Sequence, residues 1–161
     1  MNIPQHVISA VSEALSLLPP RLTSDAAKVQ LYATGLQESR FIHRRQIGGP
    51  ARGYWQFERG TRESRGGVWG VYLHDKSKVF LANLCAVRGV PFSPDAIYAA
   101  IENDDVLAAG VARLMYWTSP KPFPPIGEAD DAWSLYKNTW RPGKPHPATW
   151  PDCYLAAMEA V

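Results

Sequence analysis

One carboxyl and one amide carry the chemistry in this chain. Glu38 stands in the run Leu36-Gln37-Glu38-Ser39-Arg40-Phe41, and the stretch Gly53-Tyr54-Trp55-Gln56-Phe57 follows, then Gly60-Thr61. A protonated carboxyl can hand its proton to a departing oxygen, which is what breaking a glycosidic bond demands while positive charge builds at the sugar. An amide such as that of Gln56 both donates and accepts hydrogen bonds, which suits acetamido groups and sugar hydroxyls. For a glutamate to be protonated near neutral pH its surroundings must favour the neutral form. Leu36, Phe41 and Trp55 flank Glu38 with apolar bulk, and the negative end of a helix also disfavours an anion. Neighbouring arginines act in the opposite sense, and the sequence leaves that balance open.

Taken singly, each residue has a plainer reading: a glutamate near a helix end is usually solvated, Gly53 marks a turn, and Ser39 is an ordinary helix terminator. Taken together they resemble the lytic transglycosylase and goose-type lysozyme group. Its members carry a Glu-Ser-x-Phe-like element, a Gly-Ala-x-Gly-Leu-Met-Gln-like loop, a nearby Gly-Thr and a later Tyr-Asn. Glu38, Ser39 and Phe41 fit the first element, Ala51, Gly53 and Gln56 the second, and Gly60 with Thr61 the third, with the interval from Glu to Gln preserved. Tyr136 and Asn138 fall where the last element is expected. Lys137 interrupts that pair, and Trp140-Arg141-Pro142-Gly143 replaces the usual small residues.

The resemblance implies a mainly α, lysozyme-like single domain over residues 1–161, with a loop or short β-hairpin as one wall of a cleft. It implies that Glu38 is the only essential carboxyl. It would protonate the linkage between N-acetylmuramic acid and N-acetylglucosamine, then withdraw a proton from the muramic 6-hydroxyl as a 1,6-anhydro ring closes. Gln56, Tyr136, Ser39, Trp55 and Gly53 are the residues expected on the substrate side, the Tyr136 hydroxyl approaching the acid. Tyr54 and Trp55 stand where the family has Leu-Met, as a sugar-stacking face or as core filling. An inverting hydrolase would need a second carboxylate, for which Glu58 and Glu63 are available, although each also suits pairing with nearby arginines. No cofactor is implied, and the expected partner is the peptidoglycan glycan strand.

The elements that must position these residues read as helices. Val7, Val11, Leu15 and Leu18 recur at helical spacing until Pro19-Pro20, and a second helix, capped among Thr23, Ser24 and Asp25, runs to Ser39 and carries the acid. On that helix Ala26, Val29, Ala33 and Leu36 form one stripe and Leu31, Gly35 and Glu38 a nearly opposite one, which predicts a central helix. Gly35 suggests a close approach to its backbone; a chance glycine or a helix contact accounts for it equally. Gln46 to Gly70 reads as loop, with a strand pair near Tyr54–Phe57 and Val68–Leu73. Further helices are predicted over about 77–87, 94–101 with Ser93 as its cap, 105–117 with Asp104 near its start, 130–138 and 152 to the end, joined by the proline-rich stretch Pro120–Pro125 and the turn Trp140–Pro145.

Composition narrows the function classes. Nearly neutral overall, the chain concentrates Arg40, Arg44, Arg45, Arg52, Arg59, Arg62 and Arg65 around the candidate acid. A solvated surface, a groove for an anionic polysaccharide and a nucleic-acid face are the three readings of such a cluster. No nucleic-acid motif accompanies it, so no nucleic acid is expected. Cys85 and Cys153 form no disulfide framework, and His6, His43, His74 and His146 lack metal-ligand spacing. Of six tryptophans about four are expected in the core, with Trp55 as the cleft residue. With no secretory signal, lipid-attachment cysteine or spanning segment, synthesis in a bacterial host cytoplasm is expected. The chain then looks like a bacteriophage enzyme acting on periplasmic wall, released late through a holin pore or carried with other virion proteins. A non-catalytic virion or wall-binding protein is the alternative of a different class.

Overall fold

The computed structural model describes residues 1–161 as eight α-helices and two short 3-10 turns, without strands. α1, Gln5–Ser16, turns Val7, Val11 and Leu15 into the core and stops before Pro19 and Pro20, the latter opening a 3-10 turn to Leu22. α2, Asp25–Ser39, starts where the Ser24 hydroxyl accepts the Ala27 N–H at 3.0 Å, satisfying one of the unpaired amides of a first turn. Val29 through Leu36 are all buried. The helix is thus central, as its two apolar stripes predict, and lies chiefly against the last helix of the chain.

α3, Gly67–Leu73, is where the expected strand pair gives way. Val68 and Val71 are both buried and three residues apart, a helical interval that two β-branched residues and a tyrosine disguise as a strand. Its first-turn amides are met by the preceding loop, Val68 N donating to Glu58 O at 3.0 Å and Trp69 N to Arg59 O at 3.1 Å. Tyr54–Phe57 belongs to that loop, whose ladder contacts are isolated bridges from Arg52 to Arg45 and to Phe57.

α4, Lys78–Arg88, closes on Gly89 in the left-handed region. α5, Pro94–Ala100, and α6, Asp105–Thr118, are capped as their sequences predict, by Ser93 on Ala96 N and Asp104 on Leu107 N. α6 is apolar on nearly every side, packs against α1, α3 and α4, and forms the second axis of the core. An open connection from Ser119 to Glu128 leads to α7, Ala129–Trp140, and a second from Arg141 through a 3-10 turn at Pro147–Thr149 leads to α8, Trp150–Met158. Both cysteines are free and buried. No helix is long and apolar enough to cross a membrane.

Candidate active site

Glu38 occupies the last turn of α2, and the chain beyond it is bent back sharply. Arg40 and Phe41 both adopt left-handed φ, 57° and 55°, a conformation that costs a non-glycine residue free energy unless its surroundings enforce it. Gly35 makes room for it: the Phe41 ring folds onto the helix there, 2.2 Å from where a Cβ would stand, and is held by its edge contacts with Tyr54 and Trp55. The close approach anticipated at Gly35 is therefore made by the chain's own Phe41.

The loop that faces the helix end is stitched to it. Ser39 Oγ donates to Tyr54 O at 2.6 Å and accepts from Phe41 N at 3.1 Å. Trp55 Nε1 donates to Leu31 O at 2.8 Å while its ring meets Phe41 edge-on. Gly53, at φ 73°, lies so near Ile101 that an added Cβ would sit 2.6 Å from the Ile101 carbonyl oxygen. These contacts fix the height of the loop over Glu38.

From the other side α7 brings Tyr136, whose hydroxyl donates to Glu38 Oε1 at 2.5 Å. Its ring stacks on Trp150, centroids 5.2 Å apart and planes 18° from parallel, with Trp133 and Trp140 beside it. Trp140 in turn donates its indole N–H to Trp55 O at 2.8 Å, tying the end of α7 to the loop. Glu38 is thus half-buried against an aromatic wall. Burial raises its pKa from the ordinary carboxylate value of 4.5 to about 7, against the smaller opposing effect of the Tyr136 hydrogen bond. The same burial and the adjacent carboxylate hold the Tyr136 phenol well above its ordinary range, so it remains a donor.

The arginines do not reverse this balance, because none is ion-paired or hydrogen-bonded to Glu38. Arg44 forms a two-pronged pair with Asp105, Arg45 pairs with Glu102 at 2.5 Å, and Arg59 pairs with Asp95 at 3.0 Å. Arg40, next but one to the acid, turns away to the Met1 and Cys153 sulfurs. Glu58 and Glu63, expected to pair with these arginines, are exposed and in no ion pair; the partners come from α5, α6 and the connection between them.

Of the residues expected on the substrate side, most hold the site rather than line it. Trp55 is 0% exposed, so its aromatic face is core and not a sugar platform; Tyr54 likewise fills the core, at 5%. Ser39 and Gly53 are buried and their polar groups are used within the chain. Tyr136 is 2% exposed, and its only polar atom outside the backbone serves Glu38. Gln56 is half-buried at φ 52°, and its Nε2 donates to Gly53 O at 2.8 Å and His43 O at 3.4 Å. Its Oε1 has no protein partner, so it meets a ligand as an acceptor only. Asn138 is exposed and borders a shallow polar recess with Lys137, Arg141 and Pro142.

Three residues to which the sequence assigns no role matter here, one of them, Trp140, lying at the end of α7 and not in the expected turn. Trp140, one turn beyond Tyr136, and Trp150 build the wall behind it. Gln37 donates to His146 O at 3.0 Å and accepts from Thr149 Oγ1 at 2.9 Å, anchoring the connection before α8 beside the acid. The spacing of Tyr136 and Trp140, four apart on one helix, was the available signal for the first. No family model, curated protein or solved structure matches this chain.

Proposed function

We propose that this chain cleaves the β-1,4 bond between N-acetylmuramic acid and N-acetylglucosamine in peptidoglycan, as a lytic transglycosylase in which Glu38 is the sole acid and base. The observation that carries the reading is Glu38 itself: a carboxyl with a pKa near 7, free of any ion pair, oriented by one phenol at 2.5 Å. A carboxyl poised there is populated in both protonation states at neutral pH, which a group that must give and then take a proton requires.

In this mechanism Tyr136 holds Oε1, and protonated Glu38 gives its proton to the glycosidic oxygen as the bond to C1 breaks. The resulting carboxylate is stabilised by the Tyr136 hydroxyl, which donates more strongly to an anion than to an acid. It then takes the proton of the muramic 6-hydroxyl while that oxygen bonds to C1. Glu38 ends protonated and no water is consumed. A central helix bearing the acid at its end, with a loop pinned over it, is in keeping with a lysozyme-like domain. The bacteriophage setting, as an endolysin or a virion-associated enzyme, rests on the sequence reading.

A second reading, a non-catalytic wall-binding or virion protein, is favoured by the burial of Trp55 and the occupied donors of Gln56, which leave fewer groups for a sugar. Mass spectrometry of muropeptides released from purified peptidoglycan separates them. Anhydromuramic ends that vanish in Glu38→Gln are the expected result. Reducing ends would indicate hydrolysis and direct attention to Glu58 and Glu63, and release by neither folded protein would sink the enzymatic reading.

A further inference from the structure

Away from Glu38, at the far end of α6, several cations gather without an acid. Arg21, Lys76 and Arg113 lie 5.7, 5.6 and 5.9 Å from the centroid of the Trp117 ring, and none of the three is in an ion pair. Lys76, Arg113 and Lys121, with Tyr116, Trp117 and Phe123 as walls, line a cavity of about 300 Å³ that no carboxylate borders.

Arg113 sits at its base. It is 5% exposed, its Nε donates to Leu22 O at 2.7 Å, and its guanidinium lies over the Phe123 ring at 4.7 Å. Its two terminal nitrogens bond to no protein atom, yet neither is sealed from solvent, so they open on the cavity. Taking a guanidinium out of water without a counterion is unfavourable, and here the burial lowers its pKa only to about 10, which leaves the charge in place at neutral pH. The planar fork of a guanidinium matches two oxygens of a phosphate or carboxylate group. Arg113 is the only arginine buried this deeply; Arg44 and Arg88, each about a third exposed, have carboxylate partners from the protein, and Arg113 has none.

We propose that this cavity is a second ligand site, one that takes an oxyanion on the Arg113 fork with Lys76 and Lys121 as flanking charges. Three cations and no acid favour a phosphate-type dianion over a monocarboxylate. The cavity exceeds a bare phosphate in size, and its indole and phenyl walls suit an apolar or flat carrier of that group. The site draws on none of the residues that hold Glu38, so it stands whether or not the chain cleaves peptidoglycan.

Isothermal titration of the full chain with inorganic phosphate, and separately with acetate, tests this. Saturable binding of one phosphate is expected, with acetate at least about tenfold weaker because it brings one charge fewer. Arg113→Met should abolish binding. Because Arg113 also anchors Leu22, the exposed pair Lys76→Gln and Lys121→Gln provides the independent check. Removing these two charges should weaken phosphate by about tenfold or more without disturbing the fold. Absence of saturable binding, or binding that the double variant leaves unchanged, would overturn the assignment; acetate bound as tightly as phosphate would overturn the preference for a dianion.

Discussion

Glu38 and Arg113 are both ionisable groups sunk among aromatic rings, and the fold resolves them in opposite ways. Burial carries the Glu38 carboxyl to about neutrality, where a small change in its surroundings flips its charge. The same physical effect on Arg113 lowers its pKa only to about 10, which leaves it a fixed cation. The first suits moving a proton; the second suits holding an anion. Desolvation is thus not a signature of catalysis by itself, and the distance from the group's ordinary pKa to pH 7 decides what a buried charge can do.

The sharpest way to break the comparison is at the acid. Glu38→Gln keeps the size and the contact with Tyr136 but cannot transfer a proton. Release of anhydromuropeptides should fall about a thousandfold or more, within the range general acid–base groups supply, while glycan binding persists. Retained turnover would show that Glu38 is as inert in proton transfer as Arg113. Next in size is Gly53→Ala, which drives a Cβ to 2.6 Å from Ile101 O at a left-handed position. A loss of about 3 kcal/mol in denaturant unfolding is expected, together with activity, because the loop over Glu38 must shift.

A third test works on pH. The Tyr136 hydrogen bond lowers the Glu38 pKa, so Tyr136→Phe should move the alkaline limb of activity to higher pH while reducing turnover about tenfold to a hundredfold. A limb that stays near pH 7 would mean that another group governs it. Stability supplies the companion measurement. The folded pKa of Glu38 lies above the ordinary carboxylate value of 4.5, so its contribution is fully present below that pH and is lost as pH rises through about 7. The loss amounts to at most about 3 kcal/mol from the size of the shift, less for the part of the side chain that water reaches. Relative to the natural protein, Glu38→Gln should therefore gain stability between pH 5 and pH 8. The smallest effect belongs to Glu63→Gln: exposed and unpaired, it should change stability by less than about 0.5 kcal/mol and leave release unaltered. Loss of activity there would favour a two-carboxylate hydrolase.

How far the site could be read in advance varied with the reach of each interaction. Caps and terminators act within a turn, so Ser24, Ser93, Asp104 and Pro19 marked helix ends correctly. Glu38 was legible because its motif is local. The direction of a loop side chain is not: Trp55 sits in the matched loop, but which neighbour covers it depends on Leu31 and Phe41, and the fold turns it inward. Val68–Leu73 was misread because a helix of two turns offers only one repeat of its period. In the arginine-rich segment, dense in sequence, Arg44, Arg45 and Arg59 are paired off by Asp105, Glu102 and Asp95, while Arg40, Arg52, Arg62 and Arg65 are in no ion pair. The cations that gather around Trp117 and the cavity beside it come from positions 21, 76, 113 and 121, each unremarkable in its own stretch.

The two open connections carry one more consequence. Lys121, Arg141 and Lys144 are exposed in them, and each is followed by a proline, Pro122, Pro142 and Pro145. Trypsin-like proteases cut poorly before proline, so these two connections lack an efficient tryptic site despite their exposure. The exposed Arg62 and Arg65 have no such protection. Limited digestion should therefore open the molecule in the loop before α3 or in the turn at Lys76, and leave the two proline-guarded connections whole.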